Sequence, residues 1–255
     1  MRLFVLFALI AGLFAGAVRA EDLAAGISRD KIEITSSFTG TEVVVFGTIE
    51  DDLGRSLPAT EMRDVVVVIR SEKPYIVTVR KKERLGPIWV NRDMRQFAGV
   101  PGFYFLSSTR PLKDIARGDT LEQFELGLER IALGPAPGAI GGPKEFREAI
   151  VRQKKAGRLY SQHEGGVSFL SGSLFRSTVA LPPNVPAGNL KVQVFVFARG
   201  EVTSTNTMTL FIDKGGVERD LSELAENEPA LYGLAAVILA ALAGVAAYFA
   251  FREWL

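Results

Sequence analysis

"LPPNVPAGNLKVQVFVF", residues 181–197, is the stretch on which the architecture turns. One β run ends at a corner of three prolines, which lack the N–H that a sheet ladder needs. A second begins after Gly188 and is rich in Val and Phe, which suit a pleated, buried surface. A proline corner between two such runs recurs in immunoglobulin-like and fibronectin-like sandwiches, where a loop carries the chain from one sheet to the other. The expected fold is mainly β.

The neighbouring segments extend the pattern. "GVSFLSGSLFRSTVALP" (166–182) precedes the corner and "TSTNTMTLFID" (203–213) follows it, with a tight hairpin expected around Gly200 in "FARGEV". Further upstream, "KIEITSSF" (31–38), "EVVVFGTIE" (42–50), "DVVVVIRSE" (64–72) and "YIVTVRKK" (75–82) are period-two runs punctuated by Gly, Pro or Asp. Pro74 in "SEKPYI" predicts a hairpin between the last two. "GFYFLSST" (102–109) reads as a strand buried on both faces.

Between about 111 and 157 the period changes. "DTLEQFELGLERIAL" (119–133) sets Leu121, Phe124, Leu128 and Ile131 at steps of three and four, as a helix with one buried face would. Asp119 and Glu122 have capping-box spacing. "GPKEFREAIVRQKKAG" (142–157) places Pro143 in a first turn and Gly157 just past the end, with Glu148 and Arg152 as an i,i+4 pair. The reading is an immunoglobulin-like β-sandwich of seven or eight strands with a two-helix insertion. Two small domains split near residue 110 are the alternative.

The ends address the chain to a membrane. Arg2, the apolar run Leu3 to Ala17 and Val18-Arg19-Ala20 make residues 1–20 a signal peptide, with an uncleaved anchor as the alternative. "LYGLAAVILAALAGVAAYFAF" (231–251) carries no charge and as a helix would rise roughly 31 Å, close to a bilayer's hydrocarbon core. Tyr232, Tyr248 and Trp254 fall where amphipathic rings favour headgroups. Arg252 is the one base beyond this span, which assigns residues 252–255 to the cytoplasm. Residues 21–213 then form an exported domain facing the periplasm from the inner (plasma) membrane. Residues 214–230 form a juxtamembrane stalk, acidic because residues 213–228 hold six acidic against two basic residues. Such a stalk holds the domain off an anionic surface or against a partner. Within the span, Ala236, Ala240 and Gly244 repeat at i,i+4 beside Ala243 and Ala247. Small residues so spaced let another helix approach closely, either a second copy or a transporter subunit.

Chemistry is sparse. With no cysteine there is neither a disulfide nor a soft metal site, and His163 is the one histidine, expected in a loop. Ser28 and Lys31 match S-x-x-K but precede a strand, whereas that nucleophile needs a buried helix start. "AIGGPKEF" (139–146) lacks the G-K-[ST] of a phosphate loop, and Asp51-Asp52 before Gly54 reads as an exposed turn. No catalytic residue, cofactor or metal is expected. After loss of residues 1–20 the chain has 28 basic and 29 acidic residues, so overall charge implies no partner.

One segment departs from that balance. From Arg80 to Arg117 nine basic residues face three acidic ones, interleaved with Trp89, Phe97, Phe103, Tyr104 and Phe105. Arg80, Lys81, Lys82, Arg84, Trp89, Arg92 and Arg95 are the candidates for binding an anion or a partner. Outside the inner membrane nucleic acid is not the expected ligand. Anionic headgroups, a small oxyanion or an acidic protein surface are. A solvated face over core aromatics is the alternative.

The motifs "EITSSFTGTEVVVFG" (33–47), "GPIWVN" (86–91), "VPGFYFLSSTRPL" (100–112), "LFRSTVALPPNVPAG" (174–188) and "PALYGLAAV" (229–237) carry a resemblance. In that order they are similar to a family of transmembrane proteins described from alphaproteobacteria, over nearly the whole chain. The resemblance implies a signal peptide, an exported domain and one C-terminal span. It also implies, by association, a neighbouring exporter of sulfite or organosulfur anions, and it transfers no catalytic residues. The function expected is that of a non-enzymatic accessory or interaction subunit of a membrane assembly such as an anion transporter. A free-standing, periplasm-facing anion-binding or sensor module is the alternative.

Overall fold

Runs of Val, Ile and Phe become strands throughout the computed structural model, which describes residues 22–50, 63–139, 144–215 and 224–252. The expected signal peptide, Asp51, Asp52, Gly54, Pro143, Trp254 and residues 216–223 of the stalk lie outside the described residues. The chain runs β1 (Asp22–Ile27), β2 (Lys31–Ile34), β3 (Thr41–Glu50), β4 (Asp64–Ser71), β5 (Pro74–Leu85), β6 (Ile88–Pro101) and β7 (Tyr104–Ser108). Helices α1 (Leu112–Ile115) and α2 (Gly118–Gln123), the short β8 (Gly134–Pro135) and helix α3 (Lys144–Ala156) follow. Then come β9 (Tyr160–Glu164), β10 (Val167–Phe169), β11 (Leu174–Leu181), β12 (Gly188–Ala198), β13 (Glu201–Lys214) and α4 (Pro229–Arg252).

Two sheets face each other across the main core. One has the order β1-β3-β11-β10 and the other β2-β13-β12-β4-β7-β9. Within them β2 runs parallel to β13 and β9 parallel to β7; the other neighbours are antiparallel. Val43, Val45, Phe175 and Val179 from the first sheet meet Val65, Val67, Ile69, Val192 and Val194 from the second. Residues from both sides of position 110 share this core.

The larger sheet is buried on both faces. A strand turns alternate side chains to opposite faces, so Val65, Val67 and Ile69 enter the inter-sheet core while Val66 and Val68 point away from it. On that far side they meet Tyr104, Leu106, Phe195, Leu121, Phe146 and Ile150, a second core roofed by the helices. Fully burying one such Val or Leu side chain contributes about 1.5–3 kcal/mol, which explains why an unbroken valine run sits here. The β7 residues are buried along their whole length, as the sequence predicted.

The proline corner does what was expected of it, since β11 lies in one sheet and β12 in the other. Val185 donates its N–H to the Pro182 carbonyl at 3.1 Å and plugs the corner with a buried side chain. The β12–β13 hairpin turns on Arg199 and Gly200, with φ of 53° and 89°. Two positive φ values are the mark of a type I′ turn, whose twist matches the flanking strands.

Several expectations fail. Strands β4 and β5 do not pair across Pro74: β4 is bonded on both edges, to β12 and β7, so it has no edge to offer. β5 pairs instead with β6, a strand the sequence reading missed along with β9. The segment 119–133 is not one helix. α2 stops at Gln123, where the Leu126 N–H reaches the Leu121 carbonyl and the Glu125 N–H reaches that of Glu122. This is a Schellman ending, with Glu125 in the left-handed region at φ 54°. Leu121, Leu128 and Ile131 are buried nonetheless, so burial and not helicity set their spacing. The capping box does not form either: Arg117 occupies the N-cap, and Asp119 accepts from the Thr120 N–H inside the first turn. The second helix forms as α3, and its Glu148 meets Lys144 at 3.5 Å.

Helix α4 has 24 residues and so a length of about 36 Å. Its stretch Pro229–Phe249 has a mean hydropathy of 2.2 and none of it is buried. Among the described residues it is the one helix long and apolar enough to cross a membrane.

Candidate functional site

The basic, aromatic segment forms a two-stranded ribbon. β5 and β6 pair from Pro74–Pro101 at the base to Leu85–Ile88 at the tip. Gly86 and Pro87 make the loop. Gly86 takes φ 64° while the Pro87 ring imposes a negative φ, a combination that fits a type II′ turn and excludes type I′. The base is held: Val77 and Val79 pack on the second core beside Phe97, and β8 pairs with β6 at Phe97 and Ala98. Beyond Val79 six more residues of β5 continue, roughly 20 Å at ~3.4 Å per residue.

Register sorts the side chains. Lys81 lies opposite Asp93 and Lys82 opposite Asn91, so Arg92 is the extra residue of a β-bulge. The Arg92 side chain lies outside the description. One face carries Arg80 opposite Met94, Lys82 opposite Asn91 and Arg84 opposite Trp89. The other carries Val79 opposite Arg95, Lys81 opposite Asp93, and Leu85 opposite Ile88. Arg84 folds over the turn, its Nε donating to the Gly86 carbonyl at 3.0 Å.

The structure thus brings Arg80, Lys82, Arg84 and Trp89 together on one face and puts Lys81 on the opposite one. Arg95 is turned toward the helical layer and its Nη2 meets Asp93 Oδ2 at 3.3 Å. Phe97, Phe103, Tyr104 and Phe105 are core residues, but Trp89 is 66% exposed. Leu85, Ile88 and Met94 are 62%, 57% and 55% exposed. Leu85, Ile88, Trp89 and Met94 belong to neither core and stand exposed toward the free end of the ribbon.

A partly buried polar cluster was not anticipated. Arg70 donates through Nη1 to Glu125 Oε2 and through Nη2 to Gln193 Oε1 at 3.1 Å. The Tyr104 hydroxyl donates to the Glu125 carbonyl at 3.1 Å and accepts from the Gly127 N–H at 3.0 Å. Burial pushes that hydroxyl up to about 12. The cluster ties the end of α2 to the sheet and rationalises a glutamate where a helix usually ends on glycine. The one sequence signal for it was Gly127 inside the supposed helix. Arg110, counted among the basic residues, forks onto Asp64 through Nε and Nη2, while Thr109 donates to the same carboxylate at 2.8 Å. Its charge is used in holding β4 to β7.

Other sequence candidates stay apart. His163 is not in a loop: it sits on β9 opposite Ser107, its ring 5.6 Å from that of Phe105. It lies on the rim of a cleft of about 510 Å³ with Thr39, Lys155, Arg158 and Tyr160. A larger cleft of about 1000 Å³ between residues 128–133 and α3 mixes Arg130, Lys144 and Arg147 with Glu129 and Glu148. Ser28 Oγ accepts from the Val44 N–H, and Lys31 pairs with Glu33 at 3.2 Å and Asp213 at 3.4 Å. Those carboxylates raise the Lys31 pKa and keep it protonated, the wrong state for a base. Among the described residues no three His, Asp or Glu side chains gather as a metal site. On α4, Ala236, Ala240, Gly244, Ala243 and Ala247 are all exposed.

Compared with known proteins, residues 22–253 match the family described as "Putative transmembrane protein (Alph_Pro_TM)". No curated protein and no solved structure matches the chain.

Proposed function

The chain belongs to that transmembrane family, and on this premise we propose that it is a non-enzymatic accessory subunit of a membrane assembly such as an anion transporter. A leader at residues 1–20 exports the β domain to the periplasm, and α4 holds it at the inner membrane. The strand order β1-β3-β11-β10 facing β2-β13-β12-β4-β7-β9 supports the immunoglobulin-like assignment, because most sheet neighbours are non-consecutive in the chain, as in a Greek key. Such sandwiches serve widely as binding modules, and here the work falls to an appendage. The observation that carries the proposal is the β5–β6 ribbon, which holds Arg80, Lys82 and Arg84 beside an exposed Trp89. Trp and Arg are the side chains most often central to protein contacts.

The test is purification of the tagged full chain in mild detergent after brief crosslinking in its native cell. A membrane partner at near-stoichiometric yield is expected, reduced by Arg80→Glu with Lys82→Glu and unaffected by Arg176→Glu on the exposed side of β11. A chain that purifies alone overturns the subunit reading.

A further inference from the structure

We infer that the free end of the ribbon, residues 80–94, docks on an anionic lipid surface. In this arrangement Leu85 and Ile88 enter the acyl boundary, Trp89 lies at headgroup level and Arg80, Lys82 and Arg84 engage lipid phosphates. The inference rests on reading the ribbon as the interaction surface and names what its tip meets.

The order of side chains along the ribbon is the first argument. The apolar pair Leu85–Ile88 is the last before the turn, Trp89 and Arg84 face each other near it, and Lys82 and Arg80 stand behind. An interfacial anchor is built this way, with an apolar tip, an amphipathic ring at headgroup depth and basic residues at the phosphates. Between 80 and 94 five basic residues face two acidic ones, and two of the five are lysines. Lysine and arginine are both effective against an anionic leaflet, so the composition of this end suits a lipid surface.

Tethering is the second argument. Thirteen residues separate Gly215 from Pro229, a reach of at most about 50 Å, so α4 keeps the β domain near the bilayer. A tether also raises the effective concentration of the tip at the surface, and a weak contact then suffices. The acidic residues of 213–228 are repelled by an anionic leaflet, which leaves the contact to the ribbon. Each basic residue near such a surface is worth roughly fivefold in the bound-to-free ratio.

The absence of cysteine makes the test direct, because Ile88→Cys becomes the sole thiol of the full chain. It is nitroxide-labelled and reconstituted into vesicles of phosphatidylcholine alone or enriched in phosphatidylglycerol. The expected label is shielded from an aqueous nickel relaxant and open to oxygen in the phosphatidylglycerol vesicles, and less so in phosphatidylcholine. Adding Arg80→Gln and Lys82→Gln should lower the shielded fraction's ratio roughly 25-fold at that fivefold per residue. A label at Ser36→Cys should stay accessible to nickel throughout. A label at position 88 that remains as accessible in phosphatidylglycerol vesicles as in detergent overturns the lipid proposal. If it is then shielded in native membranes, the ribbon still contacts a partner; if it is exposed there too, the interaction reading falls as well.

Discussion

Replacing Tyr104 by Phe removes one oxygen from the interior and tests how the helical layer is fastened to the sheet. That hydroxyl is buried and makes two hydrogen bonds, to the Glu125 carbonyl and from the Gly127 N–H. Each bond contributes about 1 kcal/mol net, so the variant should lose about 2 kcal/mol at neutral pH. A pH dependence follows from the same burial, which raises the phenol from 10.0 to about 12 in the folded chain. Between those values the unfolded chain releases a proton that the folded chain keeps. Tyr104 therefore stabilises the fold fully below pH 10, and this contribution is lost as pH rises toward 12. The loss at pH 11 is about 1.4 kcal/mol. Phe has no such proton, so the gap between wild type and variant should narrow from about 2 to about 0.6 kcal/mol at pH 11. Urea titrations of the full chain in detergent, followed by circular dichroism, measure both. A variant as stable as wild type at pH 7, or a gap that does not narrow at pH 11, refutes the reasoning.

Three further outcomes are expected. Alkaline phosphatase fused after residue 225 should be active, and a cytoplasmic reporter should work only after Leu255; an inactive phosphatase fusion reverses the orientation. Gly47→Ala places a methyl group 2.5 Å from the Ala24 carbonyl oxygen and 2.7 Å from the Phe175 ring, so about 1–3 kcal/mol should be lost. Gly118→Ala, with nothing within 4 Å of its new methyl group, should cost nothing in the same urea titration.

Much of this protein was legible without coordinates. Residues 231–251 state a membrane span by length and lack of charge alone, because a bilayer's thickness is known and each residue adds a known rise. The proline corner at 182–186 and the hairpin at Arg199-Gly200 were readable because Pro and Gly act on their own backbone, whatever surrounds them. The class of fold followed from such local chemistry.

Pairing did not. "DVVVVIRSE" announces a strand but not its neighbours, and the choice of β7 and β12 over β5 was made by two cores that need valines on both faces. Leu121, Leu128 and Ile131 show helical spacing in a segment that leaves the helix at Gln123, where an ion pair from Arg70, 55 residues earlier in the chain, holds Glu125. The ribbon divides in the same way. Its charge and its tryptophan were visible in the sequence, whereas the bulge at Arg92 and the register that sets Arg84 opposite Trp89 belong to the paired strands. Local segments determine what they resemble one residue at a time, but which face a side chain shows depends on what lies across from it, and only the folded chain supplies that.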